Sequence, residues 1–128
     1  NNYEVAELQV LVVDDSEFAL KHISRALENI GVGRVISAHS GQEAIELLQT
    51  QSFDLIFTDY NMPQMNGEQL TQYIRNESNQ PTVPILLVTS EQNQTRLAGV
   101  FQAGVNAICN KPFDPQQIKA VIKSLLAD

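Results

Sequence analysis

The stretch Val10-Leu11-Val12-Val13-Asp14-Asp15-Ser16 decides the fold. Four consecutive apolar residues read as a strand buried on both faces, yet the run ends in two adjacent carboxylates. An unpaired buried charge is costly, so these acids belong at the carboxyl end of the strand, where something meets them. The design recurs. Leu55-Ile56-Phe57-Thr58 runs into Asp59, Ile85-Leu86-Leu87-Val88 into Thr89-Ser90, and the shorter Ala107-Ile108-Cys109 reaches Lys111-Pro112.

Helical periodicity fills the gaps between these runs. Ala19, Ile23, Ala26, Leu27 and Ile30 share one face of a helix over 16–30, with Gly31 and Gly33 expected to bracket its end. A strand over 34–38 follows, then a helix start at Ser40-Gly41-Gln42-Glu43 leading to Ala44, Ile45, Leu47 and Leu48. A strand over 54–58 precedes a loop with Pro63 and Gly67, and a third helix carries Leu70, Tyr73 and Ile74. A fourth helix carries Leu97, Val100 and Phe101 and closes at Gly104. The last starts near Asp114-Pro115, with aspartate as N-cap and proline in the first turn.

Five strand–helix units in strict alternation predict an α/β fold, a doubly wound parallel sheet covered by helices on both faces. Ligands of such sheets bind beyond the carboxyl ends of the strands, where the winding reverses. The strand-end polar residues all fall there. If the strand order is 2-1-3-4-5, the first and third strands are neighbours and Asp14, Asp15 and Asp59 meet.

The whole chain sets outer bounds. Its 128 residues make one domain, with residues 1–7 expected as an N-terminal extension or linker and 8–128 as the folded unit. A net charge of −7 argues against direct nucleic-acid binding, which needs a basic surface. No apolar run approaches the roughly 20 residues that span a bilayer, and Asn1-Asn2-Tyr3-Glu4 lacks a signal peptide's features. Cys109, the single cysteine, is expected as a buried thiol. A cytoplasmic location is expected, for a chain processed or cut from something longer, since it lacks an initiator methionine.

Three clustered carboxylates repel one another unless some protonate or a cation sits among them. With only oxygen ligands on offer, a hard cation is favoured, and the sparse donor set suits Mg2+ better than Ca2+. Lys111 and the Thr89 hydroxyl suit the oxygens of a phosphoryl group in transfer, where catalysis is mostly positioning and charge stabilisation. A carboxylate can accept that group covalently. Asp59 ends its strand alone, whereas Asp14 and Asp15 look like a metal-holding pair, so Asp59 is read as the acceptor.

These residues resemble the response-regulator receiver domain of two-component signalling, with likeness to its single-domain chemotaxis-type members. The resemblance runs from about Leu8 to Leu126 and rests on VLVVDDS, DLIFTDYNMPQMNG, PILLVTS and NKPF, in family order and spacing. It implies the order 2-1-3-4-5 and a phosphorylation-controlled switch rather than an enzyme, whose own chemistry is self-phosphorylation and self-dephosphorylation. It implies that Asp59 takes phosphate from a sensor histidine kinase or phosphotransfer protein. Asp15, Asp59 and the backbone carbonyl of Asn61 would ligate Mg2+, with Asp14 acting through metal-bound water. Thr89 and Lys111 would bind phosphoryl oxygens. Lys111-Pro112 is similar to the family's cis peptide, while Asn61 and Glu91 resemble the pair that modulates loss of phosphate. A downstream effector protein or domain would read a face that includes Gln94, Arg96, Lys119 and Lys123. Ser90 and Pro112 flank the key hydroxyl and lysine as tuning positions.

One position departs from the family pattern. Ile108 stands where many relatives carry a tyrosine or phenylalanine that turns inward on activation. Isoleucine is stiff at χ1 and has no ring to turn, so Thr89 is expected to move while Ile108 barely changes rotamer.

Each feature also has a plainer explanation. Asp14-Asp15-Ser16 could merely cap a helix, Asp59 could belong to a turn, Thr89-Ser90 could be an N-cap, and Lys111 could be a surface lysine. Their conjunction at one end of one sheet outweighs these. His22 and His39 lack metal-like spacing and are expected at the surface, and Met62 and Met65 are expected to pack. Two other functions fit the architecture. A haloacid-dehalogenase-type phosphatase would have its two aspartates separated by one residue, plus a cap domain. A flavodoxin-like FMN module would have a hydroxyl-rich phosphate loop instead of two carboxylates.

Overall fold

The apolar runs form one five-stranded parallel sheet in the computed structural model, which describes residues 4–111 and 114–126. The elements alternate as expected: β1 (Gln9–Val13), α1 (Glu17–Ile30), β2 (Arg34–Ala38), α2 (Gly41–Thr50), β3 (Leu55–Asp59), α3 (Gly67–Asn76), β4 (Ile85–Thr89), α4 (Gln94–Ala103), β5 (Ala107–Asn110) and α5 (Pro115–Leu126). The strand order is β2-β1-β3-β4-β5, with every pair parallel. The Lys111-Pro112 peptide and the tuning position at Pro112 lie outside the described residues.

Alternation along the strands divides the core into two layers. Leu11, Val13, Ile56, Ile85 and Leu87 face one side, where Ala44, Ile45 and Leu48 of α2, Leu70 and Ile74 of α3 and Val100 of α4 cover them. Val10, Val12, Leu55, Phe57, Leu86 and Val88 face the other, under Leu20, Ile23 and Leu27 of α1 and Ile118 and Ile122 of α5. Burying one such aliphatic side chain stabilises the fold by roughly 1.5–3 kcal/mol. Both faces of the central strands are therefore apolar, and any charge on them is pushed to the strand ends.

Local capping chemistry starts each helix where the sequence has a short polar side chain. The Ser16 hydroxyl accepts from Ala19 N at 3.2 Å and that of Ser40 from Glu43 N at 3.0 Å. Asn66 and Gln69 form a reciprocal capping box at the head of α3. Asp114 accepts from Gln117 N at 2.7 Å, in the N-cap role expected of it. Asn93, not Thr89-Ser90, caps α4, accepting from Arg96 N at 3.0 Å. The plain capping explanation of Thr89-Ser90 therefore fails.

Gly31 ends α1 in the left-handed region, φ 110°, as expected. Gly33 does something else. A Cβ there would stand 1.8 Å from the Ala6 carbonyl oxygen, so Gly33 admits the backbone of a short 3-10 turn, Val5–Glu7, against the start of β2. Val5 packs on the α1–α5 side of the core. Gly67 is likewise required by close approach, because its Cβ would meet the Asp59 carbonyl oxygen at 2.5 Å. That contact seats the head of α3 directly behind the end of β3.

Candidate functional site

Sheet register carries the polar residues to one place. Val13 pairs with Thr58 and Asp59 with Val88, while Thr89 pairs with Asn110, so β1, β3, β4 and β5 finish side by side. Backbone bonds hold the ends together: Asp14 N donates to Ala38 O at 3.1 Å and Lys111 N to Thr89 O at 2.8 Å. β1 and β3, which the sequence separates by a whole helix–strand–helix passage, sit adjacent at the centre.

There Asp14, Asp15 and Asp59 each offer a carboxylate oxygen within 4.8 Å of the others. Asp14 and Asp59 are buried and Asp15 is exposed. Lys111 bridges the two buried acids, with Nζ 3.0 Å from Asp59 Oδ1 and 3.4 Å from Asp14 Oδ2. Burial raises the Asp59 carboxyl above its ordinary value; Lys111 pulls the other way, and the Asp14 charge adds to the rise. Burial also opposes the Lys111 ammonium, but Asp59 and Asp14 outweigh it and hold Lys111 above the ordinary lysine value. The cap and the site coexist at the head of α1. While the Ser16 hydroxyl caps the helix, Asp14 Oδ1 accepts from Ser16 N at 2.9 Å.

The donor set fits a hard divalent cation. All three groups are carboxylate oxygens, and the single ammonium of Lys111 leaves two of their three negative charges uncompensated.

Thr89 is completely buried and its hydroxyl accepts from Glu91 N at 2.9 Å. Glu91 in turn is fully engaged: Asn93 N donates to Oε2 at 2.9 Å and Arg96 Nη1 to Oε1 at 3.0 Å. The Asn93 bond, aided by Arg96, holds the Glu91 carboxyl below the usual range. Ser90, between β4 and α4, and Asn61, between β3 and α3, are both exposed. Ile108 pairs with Leu87 and is half-buried against the layer under α2, α3 and α4. Gln94, Arg96, Lys119 and Lys123 are all exposed. Cys109 is buried, which pushes its thiol up. Met62 is buried, and Met65 packs against the same layer.

Three features were not foreseen. Tyr60, directly after Asp59, is buried in the α2–α3–α4 layer. Arg75 of α3 donates to Gly104 O, Pro81 O, Val83 O and Asn106 Oδ1 at 2.7–3.0 Å, tying three segments together. His39, at the surface as expected, bridges Glu17 and Glu43. Only the i,i+4 spacing of His39 and Glu43 was visible in the sequence; Glu17 and the carbonyls around Arg75 are distant in the chain. A groove of about 600 Å3 lies between α3 and α4 and is lined by Glu68, Gln72, Tyr73 and Gln102, away from the acidic cluster. Charge and register mark the site.

Comparison with known proteins agrees with this geometry. Residues 10–123 match the family model described as the response regulator receiver domain. The chain is 36% identical over 120 residues to the chemotaxis protein CheY homolog of Campylobacter jejuni, covering 93% of this chain and 92% of that one. It is 35% identical to the chemotaxis protein CheY1 of Helicobacter pylori, covering 93% and 97%. Among solved structures, the chemotaxis protein CheY4 of Vibrio cholerae superposes with a TM-score of 0.86 at 31% identity, covering 93% of this chain and 98% of that one. The receiver domain of the sensor histidine kinase PA1611 of Pseudomonas aeruginosa, which holds a magnesium ion in its active-site cleft, also gives 0.86, at 26% identity and with 94% and 98% covered. Neither the phosphatase nor the FMN alternative finds support in these matches. A doubly wound sheet whose strand ends gather three carboxylates, a lysine and a buried threonine, matched along nearly its full length, places this chain in the response-regulator receiver domain family.

Proposed function

We propose that this domain is a phosphorylation-controlled signalling switch in which Asp59 is the phosphoryl acceptor. The observation that carries the assignment is the position of Asp59, alone at the end of β3, with Lys111 Nζ 3.0 Å away and Asp14 and Asp15 beside it. An Asp59 carboxylate oxygen attacks phosphorus, the bond from phosphorus to the donor breaks, and the donor leaves with that electron pair. Asp14, Asp15, Asp59 and the Asn61 carbonyl would hold Mg2+, Asp14 through water, and the ion bound there would neutralise charge on the phosphoryl oxygens. The magnesium in the PA1611 receiver domain supports that choice of ion.

Lys111 supplies the second positive charge. On transfer it keeps its contact with the acceptor side chain while gaining a phosphoryl oxygen. Thr89 contributes its hydroxyl proton, which the Glu91 amide leaves unused because that amide occupies only an oxygen lone pair. Reaching a phosphoryl oxygen draws Thr89 away from Glu91 and so alters the loop that leads into α4. Glu91, with Asn61, tunes how long the phosphate persists, and Ser90 and Pro112 are further tuning positions.

The donor is a sensor histidine kinase or a phosphotransfer protein, and the reader is an effector docking near Gln94, Arg96, Lys119 and Lys123. These roles belong to the cytoplasm. Among the described residues no helix is long and apolar enough to cross a membrane.

Incubation with acetyl phosphate and Mg2+, read by intact-mass spectrometry, tests the reading. One phosphoryl group is expected per chain, and none on Asp59→Asn. Undiminished labelling of that variant would reject Asp59 as acceptor.

A further inference from the structure

None of the roles above uses His39. It lies between β2 and α2, its side chain 53% exposed, yet both ring nitrogens are occupied. Nε2 stands 2.6 Å from Glu17 Oε1 in the first turn of α1. Nδ1 stands 3.2 Å from Glu43 Oε1 in the first turn of α2, and the His39 backbone N–H donates to that same oxygen at 3.0 Å.

An ionised carboxylate only accepts hydrogen bonds. Two carboxylates on opposite sides of one imidazole are both satisfied only when each ring nitrogen carries a proton. A neutral ring has one N–H and would turn a lone pair toward the other acid. The arrangement also disfavours a metal, because Glu17 and Glu43 flank opposite nitrogens and a single ion could not take one ring nitrogen and both acids.

We propose that His39 is a proton-operated clamp: as an imidazolium it ties the first turn of α1 to the first turn of α2 at the edge of the acidic site, and its deprotonation opens that tie. Glu17 is released, two residues beyond Asp15, and the rim of the site changes shape and charge with pH. The charged groups facing the ring are Glu17 and Lys21 from α1 and Glu43 from α2; β2 contributes Ser37, which is uncharged. Burial opposes the protonated ring, and the two directly bonded carboxylates outweigh it. The hydrogen bonds to Glu17 and Glu43 raise His39 above the ordinary histidine value. The stabilisation is therefore complete below the unfolded histidine value, about 6.5, and disappears as pH rises through the folded one.

The clamp does not depend on Asp59 being the acceptor, and its test involves no phosphoryl transfer. Long-range 1H–15N correlation spectra of the full chain, recorded from about pH 5 to pH 9, report the protonation of each ring nitrogen. His39 is expected to show two protonated nitrogens near pH 6.5 and to titrate above an ordinary histidine. Glu17→Gln and Glu43→Gln are each expected to lower its midpoint. Wild type is expected to melt above His39→Asn at low pH, with the difference fading through the midpoint. A neutral His39 tautomer near pH 6.5, or a midpoint that Glu17→Gln leaves in place, would overturn the clamp.

Discussion

Lys111 Nζ lies 3.0 Å from Asp59 Oδ1 and shares itself with Asp14 at 3.4 Å, so one ammonium serves two buried carboxylates. Its compensation of Asp59 is incomplete, and the folded state raises the Asp59 carboxyl. For an acid raised on folding, the stability associated with its proton is present below the unfolded value and is lost as pH rises through the folded one. At neutral pH the ionised Asp59 therefore costs stability. Without metal, Asp59→Asn should melt above wild type at pH 7, and the gap should close as the pH falls into the carboxylate range. Added Mg2+ should raise the melting temperature of wild type more than that of the variant. Differential scanning calorimetry reads both; a variant that melts below wild type at pH 7 contradicts the prediction.

The Thr89 hydroxyl accepts from Glu91 N, and Ile108 is half-buried against the core layer on the α2–α3–α4 side. Isoleucine has one strongly preferred χ1 and no ring to rotate. Structures with and without a phosphate mimic should show the Thr89–Glu91 bond broken and Ile108 within its starting rotamer. A full flip of Ile108 contradicts this.

Gln64 has φ 71°, the one non-glycine residue with positive φ among the described residues. An L side chain there is strained by roughly 1–2 kcal/mol, partly offset in glycine by unfolded-chain entropy. Gln64→Gly should stabilise the domain by about 0.5–1 kcal/mol in urea unfolding, with an unchanged slope. No change or a loss would show that the loop is not strained there.

Arg75 makes four hydrogen bonds from one half-buried guanidinium, three to backbone carbonyls and one to Asn106. Truncation leaves those acceptors unsatisfied, and charged-donor bonds of this kind contribute about 1.5–3 kcal/mol apiece without adding fully. Arg75→Ala should cost about 2–4 kcal/mol. Arg75→Lys should recover little, because an ammonium cannot reproduce the planar fork. Equal stability of the lysine variant and wild type would refute the fork's role.

Much of this was legible in the chain because it is local or compositional. Apolar runs with acids, a hydroxyl and a lysine at their ends show strands buried on both faces with polar groups expelled to the tips. Ser16, Ser40 and Asp114 mark helix starts through bonds to amides three residues on. Gly33 reads as a helix-end glycine because a left-handed glycine and one making room for another backbone look the same in sequence. The Ala6 carbonyl 1.8 Å from its absent Cβ belongs to a distant turn. Thr89-Ser90 resembled a cap for a related reason: the true cap, Asn93, lies only a few residues further along.

Periodicity and strand-end chemistry thus settled the fold class and which polar residues lie at the strand ends, since burial forces charge to the ends of apolar strands wherever they lie. Assembly of that site was decided by tertiary structure. β1 and β3 had to become neighbours before Asp14 and Asp59 could share Lys111, and α1 and α2 had to begin side by side before His39 could span Glu17 and Glu43. Residues distant along the chain interact only once the sheet has closed the intervening loops, and no local pattern encodes which of them will meet.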